Sequence, residues 1–381
     1  MAPDIKGRGP GSLEAGPDGS AITLADVAAR AQVSSATATR ALHNDPRVRP
    51  ETRERVAAAA VALGYVPHLG ARALATRSSR TIGLIVPSTA DGFWGWVADG
   101  LGERASAEGF SMLLAASHRD PERERATIEL FLGKRVDGIA IGSAAGSSWI
   151  PRARSAIPMV LIDWDAALEP GLMASAVSDP VPDVLEAIRL RTGTTLIAHV
   201  RTDDVGGTAQ ATRYLLSLGH RRIAFAGLRP VRPALLRLLG VRAALAEVGL
   251  APALVVESAG TLEGGHRAGR TIVEATPRPT AVVAFDDMVA VGVMRAVHAA
   301  GLRVPEDVSV VGFDDVAVAA FVEPPLTTVA QDIAGLGGLA MDLILAGLGQ
   351  SSGDVSTIVL EGHLVTRQST ARPAQHATHQ A

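Results

Sequence analysis

The chain has 381 residues, a formal net charge of −3 and no cysteine. That length allows two or three domains with sizeable cores, and the missing cysteines exclude disulfides and cysteine-ligated metals. No apolar run approaches the ~20 residues needed to span a bilayer. Residues 1–20 are rich in Gly and Pro and lack the apolar stretch of a secretory signal, so the sequence predicts a disordered tail and a cytoplasmic protein.

The overall charge hides an asymmetry. Between Ala21 and Arg80 there are nine arginines against four acidic residues, a net +5, so the remainder is acidic. A basic end points to phosphate contacts. The same end, residues 21–66, carries the helical signals. In LADVAARAQVSSATATRAL, Leu24, Val27, Ala28 and Ala31 recur at helical spacing. Val33 and Ser34 break the pattern, and a second short helix is expected from about Ser35 to Leu42. Two short helices joined by a tight turn predict a helix-turn-helix whose second helix can enter a DNA major groove. A third helix fits Pro50–Leu63, with Pro50 at a first helical position and Gly64 ending it. Residues 67–80 then form a basic, polar connector.

From Thr81 the rhythm becomes strand, helix, strand. TIGLIVP (81–87), SMLLAA (111–116), VDGIAIG (136–142) and PMVLID (158–163) are short apolar runs of the buried parallel-strand type. RRIAFAG (221–227), ALVVES (253–258), TAVVAFD (280–286) and VSVVGFD (308–314) form a second series. The expected fold is therefore α/β: an all-α head followed by two parallel-sheet subdomains over residues 81–368, with any ligand cleft at the C-terminal strand ends. Residues 369–381 are expected to form a second disordered tail.

A recognition helix needs small or polar groups at its start and a long donor further on. Arg40 can donate two hydrogen bonds to guanine, worth about 1–3 kcal/mol of discrimination, unless it pairs with an acidic neighbour. Thr23, Ser34, Thr37 and Thr39 carry hydroxyls suited to phosphate oxygens, and Ser34 is equally suited to capping its helix.

Several motifs in order show that the chain resembles the lactose-repressor family of bacterial transcription regulators. TLADVAARAQVSSATATRAL and PETRERVAAAAVALGYVPHLGARAL match its head, third helix and hinge. RTIGLIVP, RVDGIAIG, LGHRRIAFAG, VPEDVSVVGFDD and PPLTTVAQD match its sensor core, which is similar to periplasmic sugar-binding proteins. The resemblance implies a repressor whose operator affinity is set by a small-molecule effector, a sugar or related metabolite. It places Ser35, Ala36 and Arg40 against bases, and His43 where the family carries a phosphate-contacting asparagine. In the connector it places Arg72 at a basic position and Leu74 at the leucine that wedges into the central minor-groove step. In the core, Phe93, Trp94, Trp164, Arg237 and Asp287 fall at effector-contacting positions, Asp287 competing with a role as helix cap. Trp164 stands where an arginine is usual. Residues 166–197 form an insertion. The two-lobed core implies chain crossings near 200–206, 312–320 and 340–350.

A homodimer on a pseudo-palindromic double-stranded operator is implied, since each head reads one half-site. Two other readings remain: a transport-type solute-binding protein, disfavoured by the helix-turn-helix and the missing export signal, and a nucleoside- or nucleobase-responsive regulator. Asp286-Asp287 and Asp314-Asp315 hint at an enzyme. Yet no metal-ligand spacing, nucleophile elbow or phosphate loop accompanies them, so neither catalysis, cofactor nor metal is expected.

Overall fold

A computed structural model describes residues 22–65, 78–142, 157–163, 198–228, 231–348 and 357–374. The chain divides into two compact units, residues 1–79 and 80–381. The expected tail 1–20, the hinge residues Arg72 and Leu74, Trp164 and the 166–197 insertion all lie outside the described residues.

In the first unit, α1 (Leu24–Arg30), α2 (Ser35–Leu42) and α3 (Pro50–Ala62) close a small core. Val27, Ala38 and Val56 are fully buried at its centre. The α1–α2 turn places Gln32 in the left-handed region (φ 52°). Arg55 Nε on α3 donates to the Ala31 carbonyl at 3.0 Å, tying the third helix to that turn.

The second unit has two lobes. The first contains β1 (Thr81–Val86), α4 (Gly92–Ala107), β2 (Ser111–Ala116), α5 (Pro121–Gly133), β3 (Gly138–Ile141), β4 (Met159–Ile162) and β5 (Ala198–Thr202). The chain then builds the second lobe from α6 (Asp204–Ser217), β6 (Ile223–Leu228), α7 (Arg232–Ala246), β7 (Leu254–Glu257), α8 (Leu262–Glu274), β8 (Ala281–Ala284), α9 (Asp287–Ala299), β9 (Ser309–Asp314), α10 (Val318–Phe321) and β10 (Thr327–Ala330). It returns to the first lobe as α11 (Ile333–Leu348) and β11 (Thr357–Leu360), and ends in the second with β12 (His363–Val365). The strand orders are β11-β5-β4-β3-β1-β2 and β12-β10-β9-β8-β6-β7. Pairing is parallel except between β10 and β12.

Buried strands explain the near-continuous apolar runs. Alternate residues of one strand serve opposite faces. Ile82, Leu84 and Val86 pack with α4 and α11, whereas Ile85 joins Ile139, Leu161 and Phe131 on the α5 side.

The chain passes between lobes at 202–204, 330–333 and 360–363. The crossing expected at 312–320 is corrected, because β9 and β10 are neighbours in one sheet. So is that at 340–350: α11 runs unbroken through 348 in the first lobe, its Met341 and Ile344 buried there. The tail expected from 369 is also corrected over its first residues. Ser369 is completely buried; its Oγ accepts from Thr327 N and donates to the Val310 carbonyl. The Ala371 carbonyl accepts from His220 and from Ser309 Oγ. Small polar residues read as a solvated tail, but here they satisfy polar groups at the leading ends of β9 and β10.

Candidate functional sites: a DNA-reading head and an inter-lobe cleft

In the head, Ser34 caps α2, its Oγ accepting from Thr37 N at 3.2 Å and pairing with Thr37 Oγ1 at 2.9 Å. Thr39 Oγ1 donates to the Ser35 carbonyl. Thr23 donates both its N–H and its hydroxyl to Asp26, at 2.8 and 2.7 Å. The four hydroxyls assigned to phosphate are thus all engaged in local caps and turns, which set the angle at which α2 is presented. Ser35 and Ala36 are exposed in the first turn of α2, and His43 is exposed at its C-cap. Arg40 is exposed too, its Nε against the Ala36 carbonyl at 3.3 Å. The nearby carboxylate, Asp45, is gripped by Arg47 at 2.7 Å. The ion pair that would have occupied Arg40 is therefore taken by another residue, and its guanidinium remains available on the α2 surface.

In the second unit a cleft of about 440 Å³, including its open mouth, lies between the lobes. It is lined from the first lobe by Asp91, Phe93, Trp94, Arg119 and Asp163, and from the second by Pro233, Arg237, Phe285, Asp286 and Asp314. Most of these follow the C-terminal end of a parallel strand, where open α/β sheets bind ligands. Asp91 caps α4 by accepting from Phe93 N, which sets the two aromatics in the first helical turn. Their rings meet edge to face, centroids 5.1 Å apart. Trp94 is seated by Gly142: a Cβ there would come within 2.1 Å of its ring. Across the cleft, Gly227 (φ 118°) admits the Phe285 side chain, whose Cβ would lie 2.3 Å from any Cβ at that position.

Arg237 forms the floor. It is 3% exposed. Its Nε donates to Asp204 at 2.8 Å and its NH1 to the Phe285 carbonyl at 2.6 Å, with Asp314 3.5 Å away. The guanidinium lies over the Phe285 and Phe313 rings, 4.6 and 3.8 Å from their centroids. Burial alone would lower its pKa, but the surrounding carboxylates outweigh it and keep it charged. Asp163 is pushed up to about 7 by burial and then by the charge of Asp204. Burial likewise raises Asp314 well above the usual carboxylate range.

Left-handed non-glycine residues gather around this cleft: His118 (φ 55°), Arg119 (59°), Asp163 (36°), Asp314 (108°) and Asp315 (55°). Such strain persists where the surroundings over-determine a conformation, most often at functional sites. Gln331 stitches the lobe crossings behind the cleft, accepting from Thr202 Oγ1 and donating to Asp314.

The structure thus brings Phe93, Trp94 and Arg237 together. It places Asp287 elsewhere, a departure from the expectation. Asp286 is the N-cap of α9, accepting from Val289 N at 2.7 Å, and it is Asp286 that lines the cleft. Asp287 is fully buried behind it, holding Thr328 Oγ1 at 2.5 Å and Val316 N at 2.8 Å. Of two adjacent residues at a helix start, only one can face the ligand; the other turns into the core. Asp163, Asp286 and Asp314 were legible as residues ending apolar runs. Arg119 was not, because its aim depends on two successive left-handed residues.

A helix-turn-helix head joined to a two-lobed core with an inter-lobe cleft defines a ligand-responsive DNA-binding regulator. The bacterial regulatory protein lacI family matches residues 23–68, and the periplasmic binding protein-like domain matches residues 212–370. The chain is 31% identical to the ribose operon repressor of Haemophilus influenzae over 352 residues, covering 91% of this chain and 98% of the relative. It is 34% identical to the transcriptional regulator CelR of Thermobifida fusca over 355 residues, again 91% and 98%. The lac repressor dimer bound to operator and the anti-inducer ONPF superposes with a TM-score of 0.80 at 28% identity, covering 92% of this chain and all of that one. A CelR–cellobiose complex superposes at 0.65 with 31% identity, covering 91% and 99%. The chain belongs to the LacI family of bacterial regulatory proteins and is a DNA-binding transcriptional regulator with an effector-binding core. Among the described residues no helix is long and apolar enough to cross a membrane, and no cluster of metal-ligating side chains occurs.

Proposed function

We propose that this chain represses transcription as a homodimer on a pseudo-palindromic operator, and that a polyhydroxylated, sugar-class molecule in the inter-lobe cleft sets its operator affinity. The cleft carries this reading. Carboxylates can each accept two hydroxyl hydrogens, arginines can donate to hydroxyl oxygens, and the Phe93–Trp94 pair offers flat faces to sugar C–H groups. Both lobes contribute, so a bound ligand stabilises one lobe arrangement over others and shifts the population that fits DNA. Relatives named for ribose and cellobiose support the class.

In this reading Ser35, Ala36 and Arg40 face bases. Thr23, Ser34, Thr37, Thr39 and His43 lie along the phosphates, with Arg72 and Leu74 of the connector in the minor groove. Trp164 joins the cleft wall. The protein acts in the cytoplasm, turns over no substrate, and the 67–80 segment joins head to core as a hinge.

An operator selected from random duplexes, followed by sugar titrations read by operator anisotropy, tests the proposal. A sugar that raises the melting temperature should change operator affinity by roughly 5–150-fold, the usual range of allosteric coupling, and Asp286→Asn should abolish that change. Stabilisation by nucleosides and by no sugar would replace the sugar by a nucleoside. Sugars that bind without altering operator affinity would refute effector control through this cleft.

A further inference from the structure

One feature beside the cleft is electrostatically unbalanced. β5 alternates, with Val200 packed under α11 and His199 and Arg201 on the opposite face of the strand. Arg232 is the first residue of α7, directly before Pro233, which lines the cleft. Its Nε is buried with no hydrogen-bond partner. Among the described residues, no hydrogen bond or ion pair reaches the side chain of Arg201 or Arg232. The carboxylates near enough to act on Arg232 are Asp204 and Asp163. Asp204 is committed to Arg237 at 2.8 Å, and Asp163 accepts from Thr202 N at 3.2 Å.

The end of α7 adds positive potential rather than relieving it. Its N-cap is Val231, which offers no side-chain cap, and its first turn holds no acidic residue. Helix N-termini favour anions and disfavour cations, yet an arginine occupies the first position. The charges act on one another: Arg232 is lowered by burial and by Arg201, and His199 falls to about 4 through burial, Arg232 and Arg201. A half-buried cation whose Nε is enclosed without a partner is costly.

We infer that Arg232, Arg201 and the N-terminus of α7 form an anion subsite bordering the cleft, so that the effector is a polyol bearing a carboxylate or phosphate group. The aspartates of the cleft take its hydroxyls, and the two arginines take its anionic end by charge-assisted hydrogen bonds. The inference rests on the cleft being the effector site. It adds the class of the ligand: an acidic sugar rather than a neutral one.

The test uses the full-length protein and matched ligands: a neutral sugar, its aldonate and its phosphate monoester, with inorganic phosphate alone as a fourth arm and chloride at equal ionic strength as control. Calorimetric titration should show one anionic ligand binding at least tenfold more tightly than its neutral twin. That ratio should fall to about one in Arg232→Gln and in Arg201→Gln. The aldonate and phosphate arms tell which anion is preferred. Inorganic phosphate should raise the melting temperature saturably in wild type and not in Arg232→Gln. Without ligand, Arg232→Gln should melt no lower than wild type, because it removes a half-buried charge with no side-chain partner among the described residues; a merely structural arginine would give a marked loss. Equal binding of neutral and anionic twins, or an anion preference that survives both substitutions, overturns the subsite while leaving the sugar reading intact. Arg232-dependent stabilisation by phosphate, with no sugar of either kind binding, keeps the subsite and removes the sugar reading.

Discussion

Replacing Arg237 by methionine should destabilise the core as much as it disables the cleft. The side chain is 3% exposed and its partner Asp204 1%. Removing one member of a buried pair leaves the other charged, unsolvated and unpaired, at a cost of about 3–5 kcal/mol. The Phe285 carbonyl loses a donor at 2.6 Å as well, a loss that overlaps with the first rather than adding to it. At roughly 2 °C per kcal/mol for a core of this size, the core transition should fall by roughly 6–10 °C in scanning calorimetry. The deficit should depend on pH. Arg237 opposes the burial that raises Asp314; without it that carboxyl rises further above its unfolded value. The folded state then holds a proton the unfolded state releases, so stability falls as pH increases. The deficit should therefore be larger at pH 8 than at pH 5. Adding Asp204→Leu should recover most of the loss, since an apolar pair of similar volume replaces a buried ion pair at little cost. An Arg237→Met core within 1 kcal/mol of wild type, or a double variant worse than the sum of the singles, would refute the reasoning.

Three further outcomes follow from the geometry. Arg40→Ala should lose about 1–3 kcal/mol at one base-pair position and relax specificity there; an equal loss on cognate and scrambled duplexes would make Arg40 a phosphate contact. Burial raises Asp287 to about 7, so its contribution is fully present below about pH 4 and lost as pH rises to 7. Asp287→Asn should flatten the melting temperature between those values and leave the effector response in place, and an unchanged slope would exclude the titration. Ser369→Ala strands the buried Thr327 N–H and Val310 carbonyl, which should cost about 1–3 kcal/mol in denaturant unfolding; a neutral substitution would mean the C-terminal segment is held by other contacts.

Local patterning alone set much of this protein. The head was legible because helix periodicity, the Ser34 cap and Gly64 are signals within a few residues of one another. β1 to β4 and β6 to β9 were legible because strands of a covered parallel sheet leave short continuous apolar runs. The strands that close the sheets were less so. β5 reads AHVRT, half polar because only Val200 and Thr202 are fully buried. β11 pairs with β5 some 158 residues away and β12 with β10 some thirty-five residues away. Such pairings leave no local trace, so the lobe crossings at 330–333 and 360–363 needed the fold. The same distinction holds at the site. Asp286 and Asp287 are adjacent and chemically identical, and the sequence offers both. The start of α9 turns one to the cleft and the other to Thr328 and Val316. Burial then lifts the pKa of Asp287 and of Asp163, which no count of charges along the chain contains. The pairing of Arg237 with Asp204, and the lack of a side-chain partner for Arg232 among the described residues, likewise arise only when β5, α6 and α7 are brought together. Sequence supplies periodicity, caps and charge; which charges meet, and which are left without a partner, is decided by the three-dimensional packing of distant segments.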